Sequence, residues 1–299
     1  MPKQAHVPQS KLMCHLLPNV GSIRLVLRHL HRAFIMAITP TSYDPAFWSN
    51  ARFRSLDLYA GVAVEDAGTV SRLLVEYFRH SPEQPTHFSY QVVGARQRKL
   101  KTKTIDKILE KLDAVEGRLE SMYIEAIRDE DHTHAVASLG YNYFNILREY
   151  SRFGAHCFQE DFDFQTARLL AMKVAEVVQL DYGFSSLQVG IMNACGFGSF
   201  LRIDRDPFSA KRERWMTDFD RKQPRPSNVP FLNVFELNVL SEIHLATTIA
   251  GRSFEAYVRD KGRGTLERIG KANFMWCLDE SDMAKAKADL AEQGLVAMV

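Results

Sequence analysis

The residues best able to do chemistry fall into a few short clusters. His132 and His134 flank Thr133 and follow Asp129, Glu130 and Asp131. Imidazoles and carboxylates at this spacing are metal-ligand types, but the segment is a polar turn with no further ligand in view, and it reads as a solvated loop. Glu160, Asp161 and Asp163 gather three carboxylates at the entry to a helical pattern. Paired carboxylates can divide acid and base roles, yet Asp163 is better placed to cap that helix and meet its positive end. His156 precedes Cys157, the residue types of a thiolate–imidazole pair, in an apolar context that favours a buried thiol. Gly196-Phe197-Gly198 lacks the third glycine of a dinucleotide loop. Gly183-Phe184-Ser185-Ser186 lacks the second glycine of a nucleophile elbow. The expectation is a non-enzyme with no catalytic residue, no metal and no cofactor.

Composition bounds the class. The chain has 299 residues, 46% hydrophobic and 25% charged, with 19 Phe, 10 Tyr and 3 Trp. That is globular usage with ample aromatic residues for a core. No apolar run is long enough for a transmembrane helix. Cys14, Cys157, Cys195 and Cys277 never pair as CxxC and read as reduced thiols in a cytoplasmic protein. The net charge of +2 hides an asymmetry. Residues 1–35 hold Lys3, Lys11, Arg24, Arg28 and Arg32 and no acid, so taking 5 from 38 basic residues leaves 33 against 36 acidic ones in the remainder. A mildly acidic body argues against direct nucleic-acid binding. Residues 1–35 read as a flexible basic leader, with Met36 as an alternative start.

Periodicity supplies the scaffold. Strand patterns cover 53–64, 87–93, 122–127, 135–146, 153–158, 187–192 and 273–278, and residues 231–240 read as extended. Helical spacing covers 65–80, 105–112, 164–179, 254–259 and 280–293, with Ser281 as the expected cap of the last and Gly262 and Gly294 as stops. Arg96 to Lys103 is a basic hairpin. The pairs Arg52-Phe53 and Arg152-Phe153 precede similar patterns, which suggests two related β-α-β units. The expected fold is α+β, with mixed or antiparallel sheets covered by helices, in two units: 36–150 and 151–299.

The C-terminal third carries a recognisable pattern. Asn233-Val234-Phe235 leads to Asn238, Leu240, Ser241 and His244-Leu245. Gly251 and Phe254 precede Arg263-Gly264-Thr265-Leu266, then Trp276 and the segment from Leu290 to Leu295. This resembles a family of bacterial polymorphic-toxin immunity proteins that pair with restriction-endonuclease-fold toxins, including nuclease effectors of type VI secretion. Tyr43-Asp44-Pro45 and Trp48 also suit that family. Read without the family, Asn238 and Ser241 can tie a loop or cap a helix near Glu242. Gly262, Gly264 and Gly270 suit turns, Arg263 can hold a carboxylate or carbonyls, and Trp276 is a core anchor.

The resemblance implies a stoichiometric inhibitor whose partner is a cognate nuclease toxin. A nuclease offers a basic substrate cleft, so exposed carboxylates are the contact candidates: Asp129, Glu130, Asp131, Glu160, Asp161 and Asp163. Two other classes stay open: a non-catalytic adaptor that binds an effector of the secretion apparatus, and an enzyme with an unrecognised site.

Overall fold

Strand β1 (Arg52–Ala60) is buried along its whole length after Arg52, and it lies in the middle of a ten-stranded sheet. The structure, a computed structural model, describes residues 50–60, 67–81, 83–96, 98–101, 104–115, 119–127, 135–144, 150–190, 210, 211, 215 and 230–298. All belong to one unit, Asp44–Val299.

After β1 come α1 (Ala67–His80), β2 (His87–Val92), β3 (Arg98–Lys101), α2 (Ile105–Asp113), β4 (Leu119–Ile127) and β5 (Ala135–Phe144). Next are β6 (Tyr150–Phe158), α3 (Phe164–Val177) and β7 (Tyr182–Val189). The C-terminal part holds β8 (Leu237–Ser241), α4 (Glu242–Leu245), β9 (Thr248–Ile249), β10 (Arg252–Ser253), α5 (Phe254–Lys261), β11 (Thr265–Ile269), β12 (Asn273–Cys277) and α6 (Glu280–Glu292). The fold is α+β.

Ten strands form one sheet in the order β11-β12-β8-β7-β1-β6-β5-β4-β2-β3, and every neighbouring pair is antiparallel. Both expected β-α-β units are present. In β1-α1-β2 the two strands run parallel but stand apart, with β6, β5 and β4 between them. In β6-α3-β7 they flank β1. The boundary drawn between 150 and 151 falls inside β6, and the sheet takes strands from both sides of it.

Alternation along the strands gives the sheet two unlike faces. One row reads Leu237, Ser185, Leu56, Ala155, Leu139, Ile124 and Phe88 across seven strands. It carries the apolar core under α1, α2 and α3, with Val70, Leu74, Ile108 and Leu170 from the helices. The adjacent row reads Trp276, Asn238, Phe184, Asp57, Gly154, Gly140 and Tyr123. Its β12-β8-β7 end lies in an aromatic core with Phe231, Phe254, Tyr257 and Leu290. Its centre is polar.

Two local readings differ from the sequence-based expectation. Strand β7 begins at Tyr182 rather than Leu187. The glycine at 183 argues against a strand, but a Cβ there would lie 2.5 Å from Leu58 Cδ2, so the position serves close strand packing. Helix α6 is capped by Asp279, whose side chain accepts the Asp282 N–H at 2.7 Å, and not by Ser281, which lies inside the first turn. Aspartate one residue before the helix also meets its positive end. Between 191 and 229 only 210, 211 and 215 are described, and the Trp215 and Tyr182 rings lie 5.2 Å apart.

Gly251 and Gly264 separate two reasons for a turn glycine. Both have left-handed φ, 78° and 76°. A Cβ at Gly251 meets open space, whereas one at Gly264 runs into the Cys277 carbonyl. Gly251→Ala should therefore cost only the left-handed penalty, about 1–2 kcal/mol. Gly264→Ala should cost clearly more, about 3 kcal/mol or above, because backbone must move. Urea unfolding of the two variants checks the order.

Candidate functional site

Three residues of β6 point to the polar face at a period of two: Arg152, Gly154 and His156. Gly154 leaves space between its neighbours; a Cβ there would stand 3.3 Å from both Arg152 Nη2 and His156 Nε2. Arg152 lies over this gap and reaches across to β1. Its Nε and Nη2 donate to Asp57 Oδ1 at 3.0 and 2.6 Å. Arg152 Nη2 also lies 3.2 Å from His156 Nε2. A guanidinium only donates, so His156 Nε2 accepts and the ring proton sits on Nδ1. On β5, Gly140 pairs with Gly154, and the Tyr123 ring from β4 lies over it; a Cβ would come within 2.6 Å of that ring.

The electrostatics follow from burial. Asp57 is 0% exposed, and Arg152 is buried as well. Burial alone pulls the guanidinium towards neutrality, but the Asp57 carboxylate outweighs it and the net direction is up. Asp57 Oδ2 is buried with no hydrogen-bond partner among the described residues. Ser55, two residues before Asp57, shares a 2.9 Å hydroxyl contact with Ser186 of β7. Charge, imidazole and hydroxyls thus meet where β6, β1 and β7 run side by side. The site holds a fixed charge pair and a neutral histidine of defined tautomer.

Sequence reasoning passed over Asp57 and Arg152. Two signals stood there: an aspartate within the apolar run of β1, and an Arg-x-Gly-x-His alternation on β6. His156 was weighed only with Cys157. Successive strand residues point to opposite faces, so His156 faces Arg152 while Cys157 lies in the apolar core beneath the helices.

The predicted contact residues are placed as follows. Asp129, Glu130, Asp131, His132 and His134 lie outside the described residues, as do Cys14, Cys195 and Trp48. Glu160, Asp161 and Asp163 share the turn between β6 and α3. Glu160 and Asp163 are exposed and Asp161 is half-buried. Asp163 caps α3, accepting the Thr166 N–H at 2.8 Å. No group of three metal-ligating side chains occurs among the described residues, and none of their helices is long and apolar enough to cross a membrane.

The residues behind the C-terminal resemblance hold one another. Asn238 accepts the Phe235 N–H at 3.1 Å and donates to its carbonyl at 2.7 Å. Ser241 N–H donates to His244 Nδ1 at 3.2 Å, so His244 Nε2 carries the proton and donates to the Pro230 carbonyl at 3.1 Å. Arg263 pairs with Asp289 at 2.9 Å, and its carbonyl accepts from Trp276 Nε1 at 2.7 Å. The Gly264 N–H donates to Asp282 at 3.2 Å. Gly251 stands in the two-residue turn of the β9–β10 hairpin, behind Ala250 at φ 49°. Trp276 is fully buried.

No protein-family description matches this chain, and no curated protein does. Among solved structures it is similar to one titled "Pseudomonas aeruginosa T6SS protein PA0821", at 12% identity and a TM-score of 0.48, over 82% of this chain and 73% of that one. A likeness at that level extends to neither family nor function.

Two predictions follow from the buried groups. Removing either half of a buried ion pair leaves an uncompensated charge. Asp57→Ala and Arg152→Ala should each destabilise by about 3–5 kcal/mol. The double variant should cost well under their sum, which a double-mutant cycle by urea unfolding measures. Cys277 is half-buried, and burial, with Glu267 nearby, pushes its thiol up to about 11. Its alkylation by iodoacetamide at pH 8 should thus be slow, with about a hundredfold less thiolate than an unperturbed cysteine has, and should accelerate as pH rises. Peptide mass spectrometry reads the rate.

Proposed function

We propose that this chain is an immunity protein that binds a cognate nuclease toxin of a type VI secretion system and neutralises it by forming a stoichiometric complex. The observation that carries the reading is the C-terminal pattern from Asn233 to Leu295, whose residues knit one folded unit. Asn238, Ser241, Arg263, Gly264 and Trp276 all bond within the chain. Such residues hold a shape, which suits a protein that works by presenting a surface rather than by catalysis. Recognition then falls to the surface.

Carboxylates supply the complementary charge. Glu160 and Asp163 stand exposed in the turn before α3. A nuclease cleft built for phosphates attracts such groups and speeds encounter. The complex forms in the cytoplasm, where the nucleic acid to be protected lies. Its affinity is on the order of nanomolar or tighter, since little free toxin is tolerable.

The test is capture and rescue. Tagged full-length chain, recovered from its host and read by mass spectrometry, should hold a nuclease effector, and co-expression should restore growth to cells making that effector. Capture of secretion components without rescue overturns the reading in favour of an adaptor. Replacing Asp129, Glu130 and Asp131 with alanine, or Glu160 with lysine, should slow association and weaken protection. Unchanged association for both variants removes Asp129, Glu130, Asp131 and Glu160 from the interface.

A further inference from the structure

The cavity that the proposed inhibitor role leaves unused lies between the β2–β3 hairpin and the C-terminal end of α2. It holds about 340 Å³ and is lined by Tyr90, Val92, Ala95, Arg96, Arg98 and Val115, with Ala114 at the helix end. That volume falls in the range of small-ligand sites. Its walls divide by chemistry. Tyr90, Val92 and Val115 form an apolar side, and Arg96 and Arg98 form a cationic one.

Three features of the chain build it. Arg98 stands directly opposite Tyr90 in the register, so guanidinium and phenol share one face. The β2–β4 register shifts between Gln91 and Val92, and such a bulge re-aims the following side chains. Gly94, at φ 80°, turns the hairpin so that Ala95 and Arg96 come back over the opening.

Neither the Arg96 nor the Arg98 side chain has a hydrogen bond or ion pair among the described residues. Two carboxylates of the adjoining elements are engaged elsewhere: Asp113 pairs with Arg72, and Glu120 accepts from Gln91 at 3.0 Å. The α2 end is served by its own turn, with Val115 N–H donating to the Leu112 carbonyl at 3.2 Å. In the sequence no acid occurs from Arg96 to Lys103.

We infer that this cavity binds an organic phosphate of nucleotide size, its phosphoryl group held by Arg96 and Arg98 and its ring laid against Tyr90, Val92 and Val115. Two guanidinium forks match phosphate oxygens and give directed, charge-assisted hydrogen bonds. The apolar wall supplies the burial that inorganic phosphate lacks. A compact pocket also favours a free nucleotide over a strand, which needs a groove that tracks successive phosphates.

Calorimetric titration of the full chain at low salt tests this with AMP, adenosine, inorganic phosphate and a single-stranded oligonucleotide. AMP should bind one to one, and more tightly than either of its halves. Arg96→Ala combined with Arg98→Ala should weaken AMP about tenfold or more. Val115→Trp should do the same by filling the cavity while keeping both charges. Thermal unfolding confirms that the variants fold; the arginine pair is exposed and suffices if the tryptophan variant does not. No heat with AMP, or unchanged AMP affinity in the arginine variant, overturns the inference. Oligonucleotide binding without AMP binding overturns it too and makes the basic edge a strand-backbone contact.

Discussion

The ion pair between Asp57 and Arg152 sets the register on which the sheet depends. Its two halves lie on β1 and β6, and they meet because Tyr59 pairs with Arg152 and Asp57 with Gly154. A slip by one residue would turn Asp57 towards the apolar row beneath α1, α2 and α3, away from Arg152. The pair is therefore best understood as a register device. Its net contribution to stability is small beside the cost of breaking it, because two desolvated charges must first be offset. From β1 the order propagates both ways, through β6, β5, β4, β2 and β3 on one side and through β7, β8, β12 and β11 on the other.

A second set of contacts locks the C-terminal strands to the helical layer. Arg168 of α3 holds Glu267 of β11 at 2.7 and 2.9 Å. Asn273 of β12 grips both the N–H and the carbonyl of Leu180, at 3.0 and 2.6 Å. Gly270, in the β11–β12 turn, sits so close to the Ala175 carbonyl that no larger residue fits. Backbone-directed bonds of this kind specify position more than they add energy. Their effect is to hold residues 231–298 and α3 in one fixed arrangement.

The same geometry explains why the recognisable residues are poor guides to contact. Asn238, His244, Arg263 and Trp276 spend their polar atoms on neighbouring backbone or side chains. The exposed groups, such as Glu160 and Arg96, come from turns whose sequence carries no period and whose placement depends on strands far away in the chain.

Local rules were legible in the sequence. Helical spacing marked α1, α2, α3, α5 and α6; Asp163, Gly262 and Gly294 capped or stopped helices as their chemistry dictates. The repeated β-α-β pattern and the α+β class were also readable, because side-chain period and turn chemistry act over a few residues. The tertiary structure decided which strands became neighbours. Backbone hydrogen bonding is the same for every strand, so a pattern of alternation names a strand without naming its partner. Asp57 and Arg152 stand 95 residues apart in the chain, and Arg54 and Glu236 stand 182 apart. Neither pairing has a local signature. Each exists because burial leaves a charge no other means of being neutralised, and that condition arises only once the sheet has closed around it.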